Sequence, residues 1–389
     1  MLRNFCFPAK QNIPSIVSIV QTEKVILLTY EYPPTRGGAG IYCEELGYAA
    51  SDIGFNLEVW PPLGSASSTE VESSPLPFEG SQGLLSSFRL MLETRRRIKN
   101  LSNPFLLHLA EPGALRAFLR FRSLLKPLPP YLVTIHGSEL IRFTKHSWER
   151  LLFRKTLSEA KLIHVLSSYN QKSLLQFCPE SRDLIKQIPG AAARNVLPQR
   201  DPVQQSERTV KILCVGRIHP RKGQDKLIKA VNQLPEHLRK KIELCFVGPV
   251  VDQSFRRNIE QDANRTSCEI HFLGELSDKE LREQYKRADL FSLTSMPRKN
   301  SIEGFGFVYL EASSHGLPIL AHRVGGVEDA VGHEETGLLV DPLSETDLCH
   351  SLERLVSDNH LRSKLGEQGR RWANRHSWKR VAEKLYGES

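Results

Sequence analysis

Short apolar runs separated by polar, glycine-rich turns recur along the whole chain. Val25–Tyr30, Tyr131–Ile135 and Leu162–Ser167 are such runs in the first half. Val210–Val215, Ile242–Val247, Ile270–Gly274, Asp289–Leu293, Ile319–His322 and Gly337–Val340 follow in the second. Runs that do not alternate with polar residues predict strands covered on both faces, as parallel strands are. Between them, apolar residues recur at helical spacing. Helices are predicted over Ile41–Ile53, Phe88–Ile98, residues 113–126, Leu281–Ala288, Phe307–His315 and residues 344–358, and the amphipathic KRVAEKLY predicts a last one. Strand alternating with helix predicts an α/β chain. The polar stretch PQRDPVQQSER, residues 198–208, has two prolines and no period, and predicts a linker between two domains.

Composition narrows this little. The length of 389 residues suits two domains, and 40% apolar residues suffice for cores. The seven cysteines are scattered, which argues against a disulfide framework or zinc cluster and for a reducing compartment. No apolar run is long enough to span a membrane. Residues 1–23 hold only the interrupted run Ile13–Val20 and are expected to form an extension. The formal charge of +9 suits phosphorylated ligands or anionic lipid. No nucleic-acid module accompanies it. Arg89, Arg95, Arg96, Arg97 and Lys99 mark one basic amphipathic segment, and Arg116, Arg120, Arg122 and Lys126 another. Either is a solvated helix face or a contact for anionic headgroups.

Residues 301–326, SIEGFGFVYLEASSHGLPILAHRVGG, concentrate the candidate chemistry. Glu303 falls in a loop with Gly304 and Gly306, ahead of a helix N-terminus whose free N–H groups suit a phosphate. Glu311 follows inside that helix. Carboxylates on each side of a phosphate site can accept from sugar hydroxyls; the pattern equally fits a plain strand–loop–helix with solvated glutamates. Upstream, Arg36-Gly37-Gly38-Ala39-Gly40 is a glycine loop between strand and helix. It fails as a dinucleotide fingerprint, because Cys43 stands where the third glycine belongs. His136 follows a strand, at the end where α/β sheets gather ligands. Arg217 and Lys222, in GRIHPRKG, flank a turn into a helix and can clamp a diphosphate. Ser277 or Asp278 reads as a helix cap.

Together these segments resemble family 4 retaining glycosyltransferases of GT-B fold. The resemblance rests on the glutamate pair in EGFG…GLP, the PPxxGGxG loop, THGSE and G-R-x-x-x-x-K-G, and runs from about Val25 to the end. Within the family, the PRKNSIEGFGFVYLEAS run most resembles GDP-mannose-dependent transferases acting on phosphatidylinositol-type lipids. The chain departs at Gly190-Ala191-Ala192-Ala193-Arg194, where many relatives carry an asparagine–glycine pair, and at Val250, which replaces a frequent glycine.

The resemblance implies two Rossmann-like domains facing across a cleft. The first would span 24–200, the second 209–370, and a terminal helix, 371–389, would return to the first. It implies transfer of a hexose from a GDP- or UDP-linked sugar to a lipid or saccharide hydroxyl, with retention. The alternatives are a GT-B nucleotide-sugar epimerase and a non-catalytic nucleotide-sugar-binding protein. Carried over, Glu303 meets the transferred sugar and Glu311 the ribose, while His136 lies beside the sugar. Arg217 and Lys222 hold the phosphates. Gly37 and Gly38 face the donor across the cleft, and backbone N–H groups at Phe305, Gly306 and Phe307 lie near diphosphate or sugar. A contact of Asp278 with a guanine edge is likewise only what the resemblance implies. No Asp-x-Asp occurs, so no metal or other cofactor is expected. The expected location is the cytoplasm, at the inner membrane face if the basic helices engage it.

Overall fold

The computed structural model describes residues 24–34, 37–66, 69–198 and 209–387. The extension at 1–23, Arg36 of the glycine loop and residues 199–208 of the expected linker lie outside the described residues.

The apolar runs form two parallel sheets. The first holds β1 (Lys24–Leu28), β2 (Leu57–Trp60), β3 (Glu72–Ser73), β4 (Phe105–Leu109), β5 (Tyr131–Ile135), β6 (Leu162–Val165) and β7 (Ile185–Gln187). The second holds β8 (Val210–Val215), β9 (Ile242–Val247), β10 (Glu269–Gly274), β11 (Leu290–Leu293), β12 (Ile319–His322) and β13 (Gly337–Val340). Their orders are β3-β2-β1-β4-β5-β6-β7 and β10-β9-β8-β11-β12-β13. Each reverses direction beside its first strand, between β1 and β4 and between β8 and β11. Such switch points open a crevice at the strands' carboxyl ends. Helices cover both faces, so β2, β5 and β11–β13 are buried along their whole length.

The last helix, Trp378–Tyr386, packs on the first sheet's side of the molecule. His108 Nδ1 lies 2.6 Å from the Tyr386 hydroxyl, and the Trp378 indole N–H donates to the Ala192 carbonyl at 3.0 Å. Beneath the cleft, His164 Nε2 donates to the Ile188 carbonyl, so its Nδ1 accepts from Tyr42. Burial drives the His164 pKa down to about 4, keeping that ring neutral.

Two local expectations change. The helix after β1 spans Gly38–Asp52, so Gly38 belongs to its first turn and Gly37 caps it. The helix expected over 113–126 is Pro112–Phe121 followed by a tighter 3-10 turn, Arg122–Leu125. Its three arginines face inward: Arg116 and Arg120 both donate to fully buried Glu149, and Arg122 pairs with Glu159. Of the four cations expected on a basic face, only Lys126, just past that turn, stays exposed.

Candidate active site

A cleft of about 640 Å³ opens between the two sheets' carboxyl ends. Gly37, Gly38, His136, Arg217, Lys222, Glu303, Phe305, Gly306, Phe307 and Glu311 all border it. Residues far apart in sequence are thus brought together.

Glu303 is the centre of the second domain's wall. One carboxylate oxygen accepts from Lys222 Nζ at 2.8 Å, Arg221 Nη1 at 2.9 Å and Ser295 Oγ at 3.0 Å. Burial alone would raise its pKa, but the charges of Lys222 and Arg221 and the bonds from Lys222 and Ser295 win, and hold it at about 2. Burial pushes the Lys222 ammonium below its usual range; Glu303 pulls it back up, while Arg221 and Arg217 push it down. The arrangement sets three cations against one carboxylate. Arg217 is exposed to the cleft and has no partner among the described residues. His219 beside them is depressed first by burial, then by Arg221, Arg217 and, less strongly, Arg298. The local field therefore favours an anion carrying more than one charge.

The loop reaches this position through its glycines. Gly306 caps the helix Phe307–Ser314 at φ 92°, a conformation glycine adopts without strain. It has no side chain to cap the first turn; the Tyr309 N–H donates to the Gly306 carbonyl at 3.1 Å, and the N–H groups of Phe307 and Val308 are left to a ligand. A Cβ at Gly304 would overlap the His136 carbonyl oxygen. Gly304 therefore lets the two domains touch. Ser167 Oγ donates to its carbonyl at 2.8 Å.

Phe307, 6% exposed, is structural through its side chain: the ring packs tilted at 54° with its centroid 5.4 Å from that of Trp378, which leaves the backbone to serve a ligand. The departing segment at Gly190 lies directly beneath it, where any Cβ would overlap the Phe307 ring. Glu311 is buried within its helix and accepts from Tyr285 at 3.0 Å. His136 donates from Nε2 to the Ala110 carbonyl at 2.9 Å, leaving Nδ1 as its free nitrogen. Ser277 forms a capping box with Glu280, so the helix-start reading of that segment holds; Asp278 borders the cleft.

Arg221 and Ser295 were missed by sequence reasoning. Arg221 adjoins Lys222 in PRKG and could have been weighed with it; Ser295 carries no local signal.

Two family models match the chain: Glycosyltransferase Family 4 over residues 36–191 and Glycosyl transferases group 1 over residues 198–372. One relative is the GDP-mannose-dependent alpha-(1-6)-phosphatidylinositol monomannoside mannosyltransferase of Mycobacterium tuberculosis. It is 26% identical, over 93% of this chain and 97% of its own length. Another is a D-inositol 3-phosphate glycosyltransferase of Corynebacterium glutamicum, 29% identical over 61% of this chain and 58% of its own length. Among solved structures, the sucrose-phosphate synthase of Thermosynechococcus elongatus superposes with a TM-score of 0.76. The match has 21% identity and covers 93% of this chain and 97% of that one. With both halves matched and the two-domain architecture shared, the chain belongs to the GT-B glycosyltransferases, enzymes that move a sugar from a nucleotide sugar to an acceptor.

Proposed function

We propose that this protein transfers a hexose from a GDP- or UDP-linked sugar to a hydroxyl of a lipid or saccharide acceptor, with retention and without a metal ion. The observation that carries the proposal is the Glu303 cluster: one ionised carboxylate set among Arg217, Arg221 and Lys222 at the mouth of an uncapped helix. The excess positive charge suits a diphosphate and stabilises it as a leaving group. Glu303 faces the sugar, whose ring gains positive charge as the bond to phosphate breaks. The acceptor hydroxyl attacks the face that the nucleotide leaves. The new bond forms at the anomeric carbon, the old bond's electrons go to phosphate, and a phosphate oxygen takes the hydroxyl proton. His136 Nδ1 is placed to accept from a sugar hydroxyl. Glu311 accepts from the ribose.

A lipid acceptor is supported by the relatives named for phosphatidylinositol mannosides and by one surface. Helix Leu84–Ile98 exposes Leu84 and Leu85, each 62%, together with Phe88 and Leu92. Arg89, Arg95 and Lys99 are exposed on or just beyond the same helix. Apolar and basic side chains side by side suit an anionic membrane surface. Among the described residues no helix is long and apolar enough to cross a membrane.

The test is proton NMR of the first-formed hexose product from GDP-mannose, with water or a phosphatidylinositol acceptor, in excess chelator. The expected product keeps the donor's anomeric configuration, and turnover persists. An inverted product overturns retention, and activity restored only by magnesium overturns the metal-free clamp.

A further inference from the structure

Across the cleft from Glu303, the first domain presents the short helix Ser138–Arg142. Its first residue faces the Glu303 loop, with Ser138 Oγ 3.5 Å from Ser301 Oγ. Just beyond its end, Lys145 Nζ donates to Asn300 Oδ1 at 2.5 Å. The helix therefore stands opposite the place given to the transferred sugar, on the side from which an acceptor would enter.

Arg142, its last residue, borders the cleft. Its Nε is buried without a partner, and its guanidinium has no hydrogen bond or ion pair among the described residues. Neither Glu139 nor Glu303 pairs with it. Glu139 gives one oxygen to the His136 N–H at 2.8 Å, and its other oxygen is buried and unpartnered. Glu303 already holds Lys222, Arg221 and Ser295. Other arginines of this domain do find acids: Arg116 and Arg120 take Glu149, Arg122 takes Glu159, and Arg154 takes Glu180. A half-buried guanidinium without a counter-ion is costly unless a ligand completes it. Its planar fork matches phosphate. The donor's diphosphate has its own cations on the opposite wall, so a second anion belongs to the other substrate.

We propose that Arg142 reads a phosphate on the acceptor, so that the acceptor is a phosphorylated polyol, either free or as a lipid headgroup. Arg142 is then a specificity determinant of the acceptor subsite; this rests on reading the cleft as a glycosyltransferase site.

Calorimetric titration tests it with myo-inositol 1-phosphate and myo-inositol, with and without saturating GDP. A parallel arm uses phosphatidylinositol and galactosyldiacylglycerol, a polyol lipid without phosphate, in detergent micelles. Wild type should bind a phosphoinositol, free or micellar, at least about tenfold more tightly than its control. Discrimination only in micelles identifies a lipid headgroup; discrimination by free inositol phosphate identifies a soluble acceptor. Arg142→Gln should lose this preference and Arg142→Lys regain part of it, while GDP affinity stays within about twofold. Three results overturn the proposal: no phosphate preference in either arm, a preference undiminished in Arg142→Gln, or a matching loss of GDP affinity. Failure of wild type to bind GDP would contradict the donor reading instead, and the phosphate preference would still be read on the free protein.

Discussion

Arg221 donates to the same Glu303 oxygen as Lys222 and Ser295, and three donors converging on one atom fix where the carboxylate points. Removing Arg221 leaves the charge of Glu303 intact, because Lys222 remains, but frees its orientation. Arg221→Ala should therefore lower turnover by about tenfold, roughly 1.4 kcal/mol, with a smaller change in donor KM. Lys222→Ala should lose on the order of 2 kcal/mol or more, since in the proposed reading it removes a phosphate contact as well. Steady-state kinetics with the donor varied checks both; wild-type turnover in Arg221→Ala would show that Glu303 needs only Lys222. The ten candidate residues were legible because they sit in short motifs with fixed spacing. Ser295 was not, since its role exists only once the chain folds the end of β11 over the Glu303 loop. The direction in which Phe307 points was equally hidden, because Trp378 and Gly190 come from other elements.

Helix Gly38–Asp52 carries a different kind of carboxylate. Glu45 is 3% exposed and accepts from the Arg194 backbone N–H at 3.0 Å, which ties this helix to the segment after β7. Burial raises its pKa to about 8, against the partial pull of the Arg194 bond and charge. The native state therefore keeps a proton that the unfolded chain releases near pH 4.5. The resulting stability is full below about 4.5 and is lost as pH rises toward 8, with a slope of up to about 1.4 kcal/mol per pH unit. Glu303 acts in the opposite sense: its contribution is present above about 4.5 and lost as pH falls toward 2. Urea midpoints of wild type and Glu45→Gln at pH 5, 6.5 and 8 isolate the first effect. Wild type should lose stability over that range and Glu45→Gln much less; equal slopes would contradict a protonated Glu45. The strands were legible at this scale because burial on both faces leaves continuous apolar runs. The segment at 113–126 was misread because its arginines are spaced like a surface stripe, while their acids lie on the helix Ser147–Ser158 and at its end, Glu149 and Glu159.

Across the whole molecule, the two halves meet through an apolar cluster that includes Phe307 and Trp378 and through polar contacts around the cleft. Asp329 accepts from the Ser168 N–H and Oγ at 3.0 and 2.8 Å and from Gln187 at 2.9 Å, while Ser167 holds the Gly304 carbonyl. These contacts set the Glu303 loop against His136 and border the space between Glu303 and Glu311. The central claim is that this space is divided, with Glu311 serving the nucleoside and Glu303 the transferred sugar. Calorimetric titration of wild type, Glu303→Gln and Glu311→Gln with GDP and UDP tests it most directly. A nucleoside diphosphate has ribose and phosphates but no sugar to meet Glu303. The account predicts that the better-bound diphosphate binds Glu303→Gln nearly as tightly as wild type and Glu311→Gln about tenfold more weakly. If Glu303→Gln loses diphosphate affinity as severely as Glu311→Gln, the division is wrong.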